Sequence, residues 1–271
     1  MHSWVDGQPA SALNLQNRGL AYGDGLFETI AVRGGRPSLL SLHLERLALG
    51  CQRLGLEADI ALVESELHRY ASRLGEGVAK LILTRGDSQR GYAPAAGVPA
   101  RRILQGSPLP GYPQANAGTG IRLFPCQTRL AQQPLLAGLK HLNRLEQVLA
   151  RAEWQDSACA EGLMRDTDGR LIEGVYSNLF LVRDGVLLTA DLSRCGVAGV
   201  MRAALLQQAP LLGIGVQVRD LMLEDLQQAD EVFVCNSVYG IWPVREFGAL
   251  DWPAGPLTLK LQAVARTLLD T

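Results

Sequence analysis

Only three of the 26 basic residues in this sequence are lysines, Lys80, Lys140 and Lys260. A primary amine acts as a nucleophile or proton carrier once neutral, whereas a guanidinium stays protonated in proteins. Any amine chemistry in this chain therefore falls to one of three residues. Lys260 lies in an amphipathic stretch with Leu257, Leu259, Leu261 and Val264, where a solvated role suits it. Lys80 lies in the alternating run Val78-Ala79-Lys80-Leu81-Ile82-Leu83 and is placed to point outward from a strand. Lys140 stands in Leu136-Ala137-Gly138-Leu139-Lys140-His141-Leu142-Asn143-Arg144-Leu145, where loop or strand passes into helix between apolar neighbours. Partial burial there favours a neutral, reactive amine. A lysine snorkelling from a helix start is the structural alternative.

Other chemistries lack their residues. The sequence contains no G-x-x-x-x-G-K-[ST], H-E-x-x-H, G-x-S-x-G or G-x-G-x-x-G. Its four histidines (His2, His43, His68, His141) show no metal-like spacing, so no metal is expected. Five scattered cysteines without a C-x-x-C fit reduced thiols better than a disulfide framework. A formal net charge of -1 gives nucleic acid or an anionic membrane no overall attraction. The start lacks a signal peptide's basic and apolar regions, and no uncharged run could span a bilayer. These readings suit a cytoplasmic protein with no nucleic-acid or membrane partner, which leaves a small-molecule substrate open.

The elements that must position Lys140 follow from periodicity. A hydrophobic content of 47% supplies ample core. Strands are predicted at 27–32, 78–84, 102–105, 121–125 and 232–234, with hairpin turns at Asp6-Gly7, Asp168-Gly169 and Asp184-Gly185. Leu40, Leu44, Leu47, Cys51 and Leu54 predict a helix, and others are expected over 62–74, from about Leu142, from near Gly199, and over 257–269. The helix from Leu142 would present Leu142, Leu145, Leu149 and Ala152 on one face. The Pro- and Gly-rich stretch around 106–120 marks a boundary, dividing the chain into an N-terminal domain (1–108), a linker (109–120) and a C-terminal domain (121–271). This order of mixed elements suggests α+β domains.

Several motifs, in order, carry a resemblance. They are Arg18-Gly19-Leu20-Ala21-Tyr22-Gly23-Asp24-Gly25-Leu26-Phe27-Glu28-Thr29, His43-Leu44-Glu45-Arg46-Leu47, the segment from Lys140 to Leu149, Glu173-Gly174-Val175-Tyr176-Ser177-Asn178-Leu179-Phe180, Gly199-Val200-Met201-Arg202, and Asn236-Ser237. Together they resemble the fold-type IV pyridoxal 5′-phosphate (PLP) enzymes, which include branched-chain and D-amino-acid aminotransferases and aminodeoxychorismate lyases. The resemblance implies a two-domain α+β fold, an N-terminal α/β sandwich followed by a C-terminal pseudo-barrel, and a homodimer. It also implies that Lys140 holds PLP as a Schiff base and then serves as the mobile base. Glu173 would face the pyridine nitrogen. Arg46, the backbone N–H groups of Val200 and Met201, and Ser237 would take the phosphate, with Asn178 beside them. From sequence alone, Arg46 equally suits a solvated helix face, Glu173 an exposed strand end, and Ser237 a turn.

Within that family, the Lys140 segment, Arg85-Gly86-x-x-x-Arg90-Gly91-Tyr92 and Cys235-Asn236 most resemble the lyases. The implied reaction converts 4-amino-4-deoxychorismate to 4-aminobenzoate and pyruvate. Thr29 would assist proton transfer, where branched-chain aminotransferases resemble Phe-Glu-Gly, and Arg90, Tyr92 and Asn236 would meet the dianionic substrate. The alternative is an aminotransferase for D-amino acids or branched-chain amino acids, using the same lysine and glutamate. A non-catalytic binder on the same fold would lack the Schiff base.

Overall fold

A computed structural model describes residues 3–94 and 97–270. The chain forms two compact units. The first runs to Pro110 and also takes Leu139–Asn143 and the residues from Leu269 onward; the second is Gly111–Gly138 with Arg144–Leu268. This grouping differs from the expected boundaries in two places. The segment expected as a linker contributes a short helix to the second unit, and Lys140 belongs to the first unit although it follows the boundary in sequence.

The first unit contains β1 (Ser3–Val5), β2 (Gln8–Pro9), α1 (Arg18–Tyr22), β3 (Gly25–Arg33), β4 (Arg36–Pro37), α2 (Leu40–Leu54), α3 (Ile60–Leu74), β5 (Gly77–Thr84) and β6 (Arg101–Ser107). Its six strands form one sheet in the order β2-β1-β6-β5-β3-β4. The four-three spacing that predicted α2 puts Leu44, Leu47 and Cys51 into a core with Leu26, Ile30, Leu81, Leu83 and Leu104 from the sheet. Along β3, alternate residues face opposite sides, and its pairing with β5 sets Thr29 opposite Lys80.

The second unit contains α4 (Gln114–Gly118), β7 (Ile121–Leu130), α5 (Leu145–Ala152), β8 (Cys159–Asp166), β9 (Leu171–Gly174), β10 (Asn178–Arg183), β11 (Val186–Ala190), α6 (Val200–Leu211), β12 (Val216–Arg219), α7 (Leu223–Gln227), β13 (Glu231–Asn236), β14 (Gly240–Phe247), β15 (Leu250–Asp251) and most of α8 (Pro256–Asp270). Nine strands form its sheet, with β12-β11-β10-β13-β14-β7-β8-β9 as the main path. Leu163, Leu179, Leu181, Val232 and Val234 are among its fully buried core side chains. The mixed α+β expectation holds in both units. Among the described residues, no helix is long and apolar enough to cross a membrane.

One helix starts later than periodicity predicts. α5 begins at Leu145, because the preceding residues are drawn into extended pairing with β3. The N–H of Phe27 donates to the Lys140 carbonyl at 2.9 Å, and the N–H of Leu142 donates to the Gly25 carbonyl at 3.0 Å. Those backbone groups are no longer available for a helical turn. The apolar face expected on α5 is also turned outward, leaving Leu145, Val148 and Leu149 exposed while Ala150 is buried. Apolar spacing predicted a helix correctly, but not which side of it meets the core.

Candidate active site

The extended pairing just described determines where Lys140 stands. His141 bridges to Leu26, so Lys140 is held beside the start of β3 rather than on a helix. Its Nζ lies 4.3 Å from the centre of the Phe27 ring. Alternation along β3 puts Thr29 on the same strand face as Phe27, two residues on. The first unit thus brings the expected base and the expected proton-transfer residue to one strand.

Glu28, between them in sequence, points the other way, toward α2. It is buried, and its Oε1 accepts from Arg46 Nε at 2.8 Å while its Oε2 contacts a terminal nitrogen of the same guanidinium. His43, one turn before Arg46, places Nδ1 2.5 Å from Glu28 Oε2. Burial alone would raise the Glu28 carboxyl, but Arg46 and His43 outweigh it and hold it at about 2. Burial pushes His43 below the usual imidazole range against the opposing pull of Glu28, and the charges of Arg46 and Lys140 push it further. An ionised Glu28 beside a neutral His43 that donates through Nδ1 accounts for both directions. Sequence reasoning assigned Arg46 to phosphate and gave Glu28 and His43 no role; the signal was present, since both lie inside the quoted motifs. Two of the guanidinium's three nitrogens are spent on Glu28, which fixes the direction in which the side chain can present the third, Nη1.

Arg90 and Tyr92 lie in an exposed loop of the first unit, with Tyr92 87% accessible. The loop is anchored from the Arg18–Asp24 motif. The buried Arg18 guanidinium donates to Ser88 Oγ and to the carbonyls of Gly91 and Tyr92, and the Tyr22 hydroxyl accepts from the Gly91 N–H. Arg18 and Arg85 both donate to Asp24 Oδ2 at 2.8 Å. The expected substrate residues are thus carried on a loop whose backbone is clamped on one side.

The second unit assembles the remaining residues. Glu173, next to last in β9, pairs in register with Asn178 at the start of β10. Both are buried, and both grip one peptide: Glu173 Oε2 accepts from the Val197 N–H at 2.8 Å, and Asn178 Nδ2 donates to the Val197 carbonyl at 2.8 Å. Val197 leads through Gly199, the N-cap of α6, to Val200 and Met201. Gly199 offers no side-chain cap, and the first N–H groups of a helix have no acceptor within it. This terminus therefore presents donors and a favourable dipole to an anion. Ser237 follows β13 in the turn to β14. Asn236 is committed to the same turn, its Oδ1 accepting from the N–H groups of Val238 and Tyr239 and its Nδ2 donating to the Tyr176 carbonyl. A buried carboxylate and a helix N-terminus, joined through one peptide, are the donor and acceptor set that a phosphorylated pyridine requires. Among the described residues, no group of three or more His, Cys, Asp or Glu is arranged to hold a metal ion.

The closeness of this arrangement gives a first prediction. A Cβ at Gly199 would lie 1.8 Å from Asn178 Oδ1. Gly199→Ala must displace the Asn178 amide and with it the grip on Val197. The expected cost is about 1–3 kcal/mol of stability, with weaker binding of a phosphorylated cofactor. Thermal unfolding and a cofactor titration check it; an unchanged midpoint and affinity would show that the contact yields freely.

Known proteins resemble this chain along nearly its whole length. The amino-transferase class IV family model matches residues 25–247. An aminodeoxychorismate lyase from Vibrio harveyi is 36% identical over 97% of this chain and 99% of its own length. The crystal structure of 4-amino-4-deoxychorismate lyase from Pseudomonas aeruginosa is 59% identical, with a TM-score of 0.97 over 99% of this chain and 100% of that one. The branched-chain amino acid aminotransferase of Escherichia coli is 25% identical, with a TM-score of 0.87 over 100% of this chain and 95% of its own.

Proposed function

The chain belongs to the amino-transferase class IV family, and on that premise we propose that it is a PLP-dependent lyase converting 4-amino-4-deoxychorismate to 4-aminobenzoate and pyruvate. The observation that carries this reading is Thr29, a hydroxyl on the strand face of Phe27, over whose ring the Lys140 amine stands. An aminotransferase needs no hydroxyl there to assist a leaving group.

Bound PLP would supply an electron sink for the carbon that bears the substrate's amino group. The roles of the chain's own residues follow. Lys140 would hold the cofactor, and its amine, free once substrate is bound, would take the proton from C4. The bond from C3 to the enolpyruvyl oxygen then breaks as the ring becomes aromatic. Thr29 assists proton delivery to the departing group, which becomes pyruvate. Glu173 keeps the pyridine nitrogen protonated. Arg46, Ser237 and the N–H groups of Val200 and Met201 hold the phosphate, and Asn178 keeps the 197–199 peptide in position for them. Arg90, Tyr92 and Asn236 meet the substrate's carboxylates. Because aromatisation drives the elimination, the site mainly has to align the substrate and place an acid.

The experiment is a coupled assay with PLP. Release of 4-aminobenzoate and pyruvate from aminodeoxychorismate is expected, and amino transfer from D-alanine or leucine to 2-oxoglutarate is expected to be minor. Sustained transfer with no 4-aminobenzoate would replace the lyase reading with the aminotransferase one. We also propose a cytoplasmic homodimer. The exposed Leu145, Val148 and Leu149 supply apolar surface for a second copy. Light scattering should give twice the 29.3 kDa chain mass.

A further inference from the structure

A buried carboxylate outside the set above stands behind it. Glu161, on β8, is fully buried in a stretch otherwise suited to an inner strand (Cys159-Ala160-Glu161-Gly162-Leu163-Met164). It meets four donors: Oε1 accepts from the N–H groups of Gly162 (2.8 Å) and Val175 (3.0 Å), and Oε2 from Ser177 Oγ (2.7 Å) and the Tyr176 N–H (3.3 Å). Three of the four belong to the turn 174–177, which joins Glu173 to Asn178. The Tyr176 hydroxyl is latched to the Ala160 carbonyl beside Glu161. A Cβ at Gly174 would lie 2.2 Å from Ser177 Oγ and 2.9 Å from Glu161 Oε2, so the turn closes directly on this carboxylate.

We propose that Glu161 is a positioning residue for the cofactor site, fastening the 174–177 turn so that Glu173 and Asn178 hold the Val197 peptide and the start of α6 in register. This deepens the PLP reading and rests on it. An ionised carboxylate accepts from all four donors, whereas the acid must turn a proton toward groups that are themselves donors. Burial pushes Glu161 up to about 7, while Ser177 and the backbone donors work against it. The titratable groups around it are the phenols of Tyr112, Tyr176 and Tyr239 and the thiol of Cys126, all pushed upward and neutral near pH 7. Arg151 acts on Tyr176, and Glu153 on Cys126. The clamp is therefore set at alkaline pH and loosens as pH falls through neutrality.

Hydrogen exchange of the holoenzyme between pH 6 and 8.5, corrected for intrinsic rates, tests this. Protection of the Val175 and Tyr176 amides should fall about tenfold toward pH 6, with a midpoint near 7. Glu161→Gln should be poorly protected at every pH and bind PLP severalfold more weakly. Protection and affinity like the wild type's in that variant would overturn the proposal. Should Glu161→Gln not fold, Ser177→Ala keeps the carboxylate and removes one donor that favours its ionised form. Its midpoint should move upward, and an unmoved midpoint would equally overturn the proposal. Exchange is readable without cofactor, so a failed PLP reading would show separately, as the absence of a cofactor absorption band in the wild type.

Discussion

Lys140→Ala should lose both the absorption band of lysine-bound PLP and measurable lyase turnover, while remaining folded. Chemistry and position together single out this amine. Of the other two, Lys80 is exposed on β5, and Lys260 sits on α8 with Nζ 3.4 Å from the Leu212 carbonyl. Lys80 Nζ also approaches the Phe27 ring, at 5.5 Å against 4.3 Å for Lys140, but Lys80 is exposed whereas Lys140 is partly buried beside the start of β3. Positioned proton transfer alone contributes about 10²–10⁴-fold, and the variant loses the anchor as well, so activity should fall by about 10⁴-fold or more. The fold should barely notice, because a cation over an aromatic face contributes only about 0.5–1 kcal/mol at such sites. Lys140→Arg keeps the charge and should be as inactive, since a guanidinium does not deprotonate. A small added amine should restore some turnover to the alanine variant by carrying the proton. A persistent band in Lys140→Ala would move the cofactor to another lysine and remove the basis of the proposed mechanism.

Lys140 also shows what the sequence made legible and what it hid. Its candidacy as the reactive amine is legible, because lysine is scarce here and its flanks are apolar. Its setting was not: periodicity in Leu142, Leu145 and Leu149 suggested a helix, whereas pairing of His141 with Leu26 holds the segment extended. That pairing joins residues more than a hundred positions apart, and local spacing carries no trace of it. The hairpins at Asp168-Gly169 and Asp184-Gly185 were readable because turn chemistry is local. The same division separates Glu173 from Glu161. Glu173 is singled out through a motif, whereas Glu161 is a lone acid in an apolar strand, and its proposed role depends on a turn 14 residues away closing onto it. Likewise, Arg46 was matched to a distant anion, but its carboxylate partner on β3 was visible only once α2 had packed on the sheet.

That partner makes Arg46→Ala the variant with the largest expected effect on stability. Removing one member of a buried ion pair leaves the other charge uncompensated, at a cost of about 3–5 kcal/mol. For a chain of this size, that lowers the unfolding midpoint by on the order of 10 °C. The contribution of Glu28 to the pH dependence should also change sign. In the wild type, Glu28 is held at about 2, below its ordinary value of 4.5. A depressed folded-state value stabilises the fold above about pH 4.5, and that contribution is lost as pH falls from there through about 2. Without Arg46, burial dominates, and the coupled Glu28–His43 pair gains a proton on folding, whichever partner carries it. The variant should therefore gain stability relative to the wild type as pH falls from 8 toward 5. A constant difference between the two midpoints across that range would show that Glu28 is not the charge Arg46 balances. Glu28→Gln separates the two roles proposed for the guanidinium, since it removes the buried charge but keeps the arginine. PLP affinity retained in Glu28→Gln and lost in Arg46→Ala would assign the remaining nitrogen, Nη1, to the phosphate. Equal loss in both would mean that the ion pair itself, through the placement of α2 against β3, is what the cofactor requires.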